Sequence, residues 1–265
     1  MKKYIVCFVC FILFMGVVSC AHGVGVSEED LNNARNRNMQ SVHTQREAPV
    51  MDEGGRYVYL TFDDGPSPNT SLILDLLSEY QIQGTFFLLG SSIEEYEDSA
   101  AVIQRILDEG HYIGLHSMTH NMQHLYRVRN AHINFYNEMV ELQELINELT
   151  GGFETYLYRA PYGTRDMFTR DHIRTMIDSD FNCWDWHVDT EDWRLRSVDD
   201  IMRKIRTDME SNLNPEKAVV LFHERDITLR ALPRVIEYYQ NLGYTFMSYH
   251  PDNHFRINII VNSDL

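Results

Sequence analysis

Directly behind the apolar run Val58 to Phe62, the chain places two carboxylates side by side in Asp63-Asp64-Gly65-Pro66. Adjacent carboxylates repel, so the pair is costly unless a cation or a hydrogen-bond donor neutralises one of them. Successive side chains of a strand point to opposite faces, which would let one acid meet a cation while its neighbour faces elsewhere. A solvated turn is the plainer reading, because Asp-Asp-Gly-Pro is good turn chemistry. His116-Ser117-Met118-Thr119-His120 is more specific. Imidazoles four positions apart share a face of a helical turn and can reach one ion, although such pairs also arise on surfaces that bind nothing. Added to Asp64 they make a set of two imidazoles and one carboxylate. Hydrolytic zinc sites and non-haem iron oxygenases both use such a set, with positions left open for water and substrate.

Three further groups carry polar chemistry. Arg159-Ala160-Pro161-Tyr162-Gly163 offers a cation that could orient a carboxylate through paired hydrogen bonds, followed by a rigid turn; a surface ion pair is the alternative. Asp189-Thr190-Glu191-Asp192-Trp193 brings acids and an indole, which could stack on a sugar face or serve as plain core. His223 ends the apolar run Val219 to Phe222. A lone histidine there is usually structural, but Asp192 could hold it protonated. His111 and His124 are not needed for chemistry, and Cys183 reads as a buried, inert thiol.

All these groups follow segments that read as strands, at 57–62, 85–89, 112–115, 156–159, 182–186, 218–222 and 244–249. Amphipathic helices are expected between them at 69–80, 100–109, 134–150, 198–212 and 229–242, with Gly110, Gly151 and Gly243 closing three of them. Alternation of this kind implies parallel pairing, and about seven units imply an α/β, barrel-like (β/α) domain. In such a barrel the strand ends converge on one mouth.

The remaining sequence bounds the setting. Lys2 and Lys3 precede an uncharged run from Tyr4 to Val18, which fits a secretory leader over 1–19 better than a full membrane span. Val17-Val18-Ser19-Cys20 resembles a lipoprotein box, so Cys20 is the expected lipidation point; ordinary cleavage nearby is the alternative. Residues 20–55 read as a flexible tether, 56–250 as the folded domain, and 251–265 as a tail with room for an extra strand. A formal charge of -16 argues against nucleic acid as a partner. Outside the leader and Cys20 only Cys183 remains, so no disulfide is expected within the domain.

Taken together, Thr61-Phe62-Asp63-Asp64-Gly65-Pro66, His116-Ser117-x-x-His120, Arg159-x-Pro161-Tyr162, Asp189-x-x-Asp192-Trp193 and Leu221-x-His223 follow the order of five motifs. In this the chain resembles the polysaccharide deacetylases, carbohydrate esterase family 4 with its NodB-type domain. The resemblance runs over residues 57–249 and implies a distorted (β/α) barrel. It implies Asp64, His116 and His120 as ligands of a divalent metal, commonly zinc and sometimes cobalt or another ion. It also implies Asp63 as the general base, with Arg159 holding it, and the backbone N–H of Tyr162 as an oxyanion donor. His223 would be the general acid supported by Asp192, and Trp193 and Leu221 would line the acetyl pocket. The expected substrate is an N-acetylated glycan, foremost peptidoglycan N-acetylglucosamine, met by an exported, lipid-anchored or secreted monomer. Chitooligosaccharide, poly-N-acetylglucosamine and acetylated xylan stay open as substrates. An iron-dependent oxygenase and a catalytically silent glycan-binding lipoprotein stay open as rival readings.

Overall fold

The computed structural model of the protein describes residues 48–257. The expected leader 1–19, the lipidation point Cys20, tether residues 21–47 and tail residues 258–265 lie outside the described residues. The first half of the domain runs β1 Tyr57–Gly65, α1 Pro68–Glu79, β2 Thr85–Leu88, α2 Gly90–Glu95, α3 Ser99–Asp108 and β3 Tyr112–Leu115. A π-helical turn at Gln123–Arg127 leads into α4 Ala131–Thr150, β4 Leu157–Tyr158 and α5 Arg170–Asp178. The chain closes with β5 Asn182–Cys183, β6 Val188–Asp189, α6 Val198–Ser211, β7 Lys217–His223, α7 Asp226–Asn241 and β8 Thr245–Phe246.

Every strand pair is parallel, in the order β5-β4-β3-β2-β1-β7-β6, with β8 against the start of β1. The segment expected as a strand over 182–186 is strand only at Asn182–Cys183, where it pairs with β4 at one edge of the sheet. β6 at Val188–Asp189 lies beyond that expectation and pairs with β7 at the opposite edge. From Cys183 to Val188 the chain can span at most about 18 Å, so the two edges must curl toward each other. A single bridge between Trp184 and Ile257 lies in that gap. The result is a curled, distorted (β/α) barrel.

The period of two along β1 sorts its side chains. Val58, Leu60 and Phe62 face the helices, where Phe62 stacks between Phe86 and Phe222 at 5.0 and 5.7 Å. Tyr57 and Tyr59 face the other way and pack with Phe87, Leu157, Trp184 and Tyr249 into an aromatic plug. Thr61 and Asp63 continue that second row toward the strand's C-terminal end, in register with Leu221 and His223 of β7. The same face is therefore an apolar floor at one end and a polar rim at the other.

Gly110, Gly151 and Gly243 all take the left-handed conformation expected of residues that end helices. Two helices escape the sequence reading. α2 is only six residues long, too short to display a period. α5 has nine residues with few apolar positions, and its Thr169 cap shares reciprocal hydrogen bonds with His172 rather than with the usual Glu or Gln.

Candidate active site

β1 does not simply end at its two acids. The pairing with β2 slips between Asp63 and Gly65, and Asp64 sits in the bulge with φ 70°. An extra bulge residue undoes the strand's alternation. Both carboxylates consequently reach the same imidazole, with Asp63 Oδ2 at 3.8 Å and Asp64 Oδ1 at 3.5 Å from His116 Nε2. The expectation that Asp63 and Asp64 face apart is corrected by this bulge.

The two histidines also meet by a different route than a helical turn. Residues 116–120 form a loop, with Ser117 at φ 73° and His120 at φ 53°, and Ser117 Oγ accepts the His120 N–H at 3.0 Å. The short helix α2 braces it: the N–H groups of Gly90 and Ser91 donate to the carbonyls of Ser117 and Met118. From the same helix Ser92 Oγ donates to the Asp64 carbonyl at 2.8 Å, so one element positions both loops.

Asp64 Oδ1 is buried without a hydrogen-bond partner and lies 3.5 Å from His116 Nε2 and 3.7 Å from His120 Nε2. Three donors placed tetrahedrally about one zinc-sized ion would stand about 3.3 Å apart. His116 Nδ1 faces the Arg159 carbonyl at 2.9 Å and must donate there, which turns Nε2 toward Asp64. Burial, reinforced by His116, lowers the His120 imidazole to about 4, so at neutral pH it is unprotonated. Burial pushes the Asp64 carboxyl up, but His116, His223 and His120 outweigh it and lower its pKa. An orphaned carboxylate oxygen beside two imidazole nitrogens fits a divalent cation.

Arg159 is fully buried behind this group and donates Nη1–H to Asp63 Oδ1 at 2.8 Å. Its other donors go to Thr61 Oγ1 and to the carbonyls of Trp184 and Asp185, and Phe87 covers the guanidinium plane at 4.1 Å. Four of the five N–H groups of the fork are thus engaged, which fixes the guanidinium and with it Asp63. Opposite, His223 Nδ1 donates to Asp192 Oδ1 at 2.7 Å, while Asp192 Oδ2 accepts from the His223 N–H and the Thr228 hydroxyl. Burial alone would lower the His223 pKa, but the bond to Asp192 and its charge, with Asp63 and Asp64 beyond, raise it to about 9. His223 Nε2 points at Asp64 Oδ2, 4.0 Å away.

Asp63, Asp64, His116, His120, Tyr162, Trp193, Leu221 and His223 all line one cavity of about 390 Å³. Arg159 and Asp192 stand directly behind it, both fully buried. Leu221 is buried in the wall, and Trp193 is half exposed at the rim. Tyr162 takes φ 67° at the third position of a turn closed by the Gly163 N–H to the Ala160 carbonyl, a place that favours glycine. Its hydroxyl donates to the His120 carbonyl at 2.9 Å, and among the described residues its backbone N–H meets no protein acceptor.

The cavity also holds Trp186, Asp189 and Arg225. Trp186 falls within the segment expected as strand, and Arg225 has no sequence signal beyond its charge. Burial pushes the Asp189 carboxyl above its ordinary range. Glu224 is the other omission. Its carboxylate is buried and accepts from the hydroxyls of Ser67 and Thr70, pinning the loop after Asp64 to the end of β7. Burial pushes its pKa up to about 7 against the pull of those two hydroxyls. Burial also pushes the Cys183 thiol well above its ordinary range, away from nucleophilic use.

A curled parallel barrel whose strand ends gather an acid-imidazole cluster around one cavity has the layout of a barrel enzyme's active site. Comparison with known proteins gives the family. The polysaccharide deacetylase family model matches residues 51–176. A peptidoglycan-N-acetylglucosamine deacetylase of Bacillus cereus is 32% identical over 253 residues, covering 94% of this chain and 89% of the relative. Among solved structures, a polysaccharide deacetylase from Bacillus cereus superposes with a TM-score of 0.68 at 33% identity, over 77% of this chain and 97% of that one. A Streptococcus mutans family 4 carbohydrate esterase gives 0.67 at 28% identity, over 83% and 94%. The chain belongs to the polysaccharide deacetylase family and is an enzyme of that kind.

Proposed function

We propose that the protein removes the N-acetyl group from N-acetylglucosamine residues of peptidoglycan and releases acetate. The observation that carries this reading is the placement of Asp63 and His223 on either side of the Asp64–His116–His120 cluster within one cavity. Asp64 Oδ1 and the Nε2 atoms of His116 and His120 would hold a divalent ion, zinc first among the candidates. When bound, that ion supplies Lewis-acid polarisation of the acetyl carbonyl and makes a nearby water more acidic.

The remaining steps belong to the chain. Asp63 accepts the proton of the attacking water, its carboxylate aimed by the hydrogen bond from Arg159. The Tyr162 N–H donates to the oxygen that becomes negative. His223 carries a proton on Nε2 at neutral pH and delivers it to the departing amine, with Nδ1 locked on Asp192. Leu221 gives the acetyl methyl an apolar wall, and Trp193 offers a ring face to the sugar. Export through the 1–19 leader and anchoring through lipidated Cys20 would bring this site to its polymer, with the protein acting as a monomer.

The test is acetate release from peptidoglycan, chitooligosaccharide, poly-N-acetylglucosamine and acetylated xylan, with and without chelator. Peptidoglycan is expected to give the fastest release, lost on chelation and restored by zinc. Chelator-insensitive release would remove the metal from the proposal, and oxygen consumption with iron would replace it by an oxygenase.

A further inference from the structure

Glu138 lies in the middle of α4, far along the chain from the cavity residues, and is only 5% exposed. A carboxylate buried in a helix face is costly unless its oxygens are satisfied. Both are used on a single residue: Oε2 accepts the Thr119 N–H at 2.9 Å, and Oε1 accepts the Thr119 hydroxyl at 2.8 Å. Thr119 immediately precedes His120. Its hydroxyl oxygen in turn accepts the Asn121 N–H at 3.2 Å, so the residues on both sides of His120 are tied to one anchor. The remaining neighbour is the exposed His124, whose Nε2 lies 3.6 Å from Oε1.

The two histidines of the cluster are held in different ways. His116 is fixed through its ring, by the Arg159 carbonyl. His120 is fixed through its backbone, by Ser117 Oγ on its N–H and the Tyr162 hydroxyl on its carbonyl. It also sits left-handed at φ 53°, a conformation uncommon outside glycine though open to histidine. We infer that Glu138 is a positioning residue for the metal site, clamping Thr119 so that His120 Nε2 is presented to the ion before it arrives. This rests on the reading of Asp64, His116 and His120 as metal ligands.

Loss of a group that orients a ligand typically costs 10–100-fold in metal affinity. Glu138→Gln keeps the shape but removes the charge; its amide oxygen can still accept the Thr119 N–H, while its amide N–H2 faces a hydroxyl that can no longer donate to it. Its zinc dissociation constant, measured by competition with a chromophoric chelator, is expected to rise about tenfold. The visible absorption of the cobalt-loaded variant should change, because the ligand field at His120 changes. Zinc affinity and cobalt spectrum equal to wild type, with only a lower melting temperature, would overturn the inference and leave Glu138 a core residue. If Glu138→Gln does not fold, Thr119→Val removes the hydroxyl, with its contacts to Glu138 and to the Asn121 N–H, and must still weaken zinc several-fold; unchanged affinity there overturns the inference equally. Failure of the wild-type protein to bind zinc or cobalt at all would instead sink the metal reading itself.

Discussion

Two halves of one cavity use the same residue types, aspartate and histidine, for opposite ends. On the β1–β3 side, Asp64 Oδ1 has no donor and faces two unpaired Nε2 atoms. On the β6–β7 side, Asp192 is saturated by a backbone N–H, a hydroxyl and an imidazole Nδ1–H. In the first arrangement burial, reinforced by His116, lowers the His120 pKa to about 4; in the second the bond to Asp192 and its charge overcome burial and raise that of His223 to about 9. Residue identity does not set these protonation states; burial at His120 and the bond to Asp192 at His223 do.

Removing a ligand from the first half should have the largest effect. His116→Ala is expected to lose the bound metal and with it measurable activity; elemental analysis showing unchanged metal content would break the ligand set. Next comes Asp63→Asn, which keeps the hydrogen bond to Arg159 but cannot take a proton. Acetate release should fall by about 10³, within the range typical of a positioned base, with metal retained. Full release by that variant would remove Asp63 from its role.

Asp192→Asn tests the other half. In metal-free protein, NMR titration should place the His223 imidazole near 9 in the wild type and well below that in the variant. The sign for stability follows from the raised value. His223 contributes stabilisation that is complete below its ordinary 6.5 and lost as pH rises through about 9. The variant should therefore lose stability below pH 6.5 and differ least from wild type above pH 9. Equal stability differences at both ends would break the assignment. The smallest effect is expected from Gly65→Ala, whose Cβ would stand 2.1 Å from Glu224 Oε1. Ser67 and Thr70 hold that carboxylate, so it cannot simply swing aside. A loss of about 1–3 kcal/mol in denaturant unfolding is expected.

Much of the fold was legible because β1 and β7 are long apolar runs and because helical stretches separate the strands. The cavity residues were legible because each follows such a strand. α2 was not, being too short for periodicity, although it braces both ligand loops. Glu138 and Glu224 looked like ordinary acids. Their partners lie 19 or more positions away, beyond any local pattern.

The sequence by itself determined the α/β class, the convergence of Asp63, Asp64, His116, His120, Arg159 and His223, and the family to which their motifs belong. Those follow from local chemistry: periodicity, strand ends and residue type. Only the tertiary structure decided that a bulge turns both acids inward, that a loop rather than a helix joins the histidines, and that His120 is neutral where His223 is charged. Protonation and direction depend on which groups packing brings within about 4 Å, and contacts between distant segments leave no periodic trace in the chain.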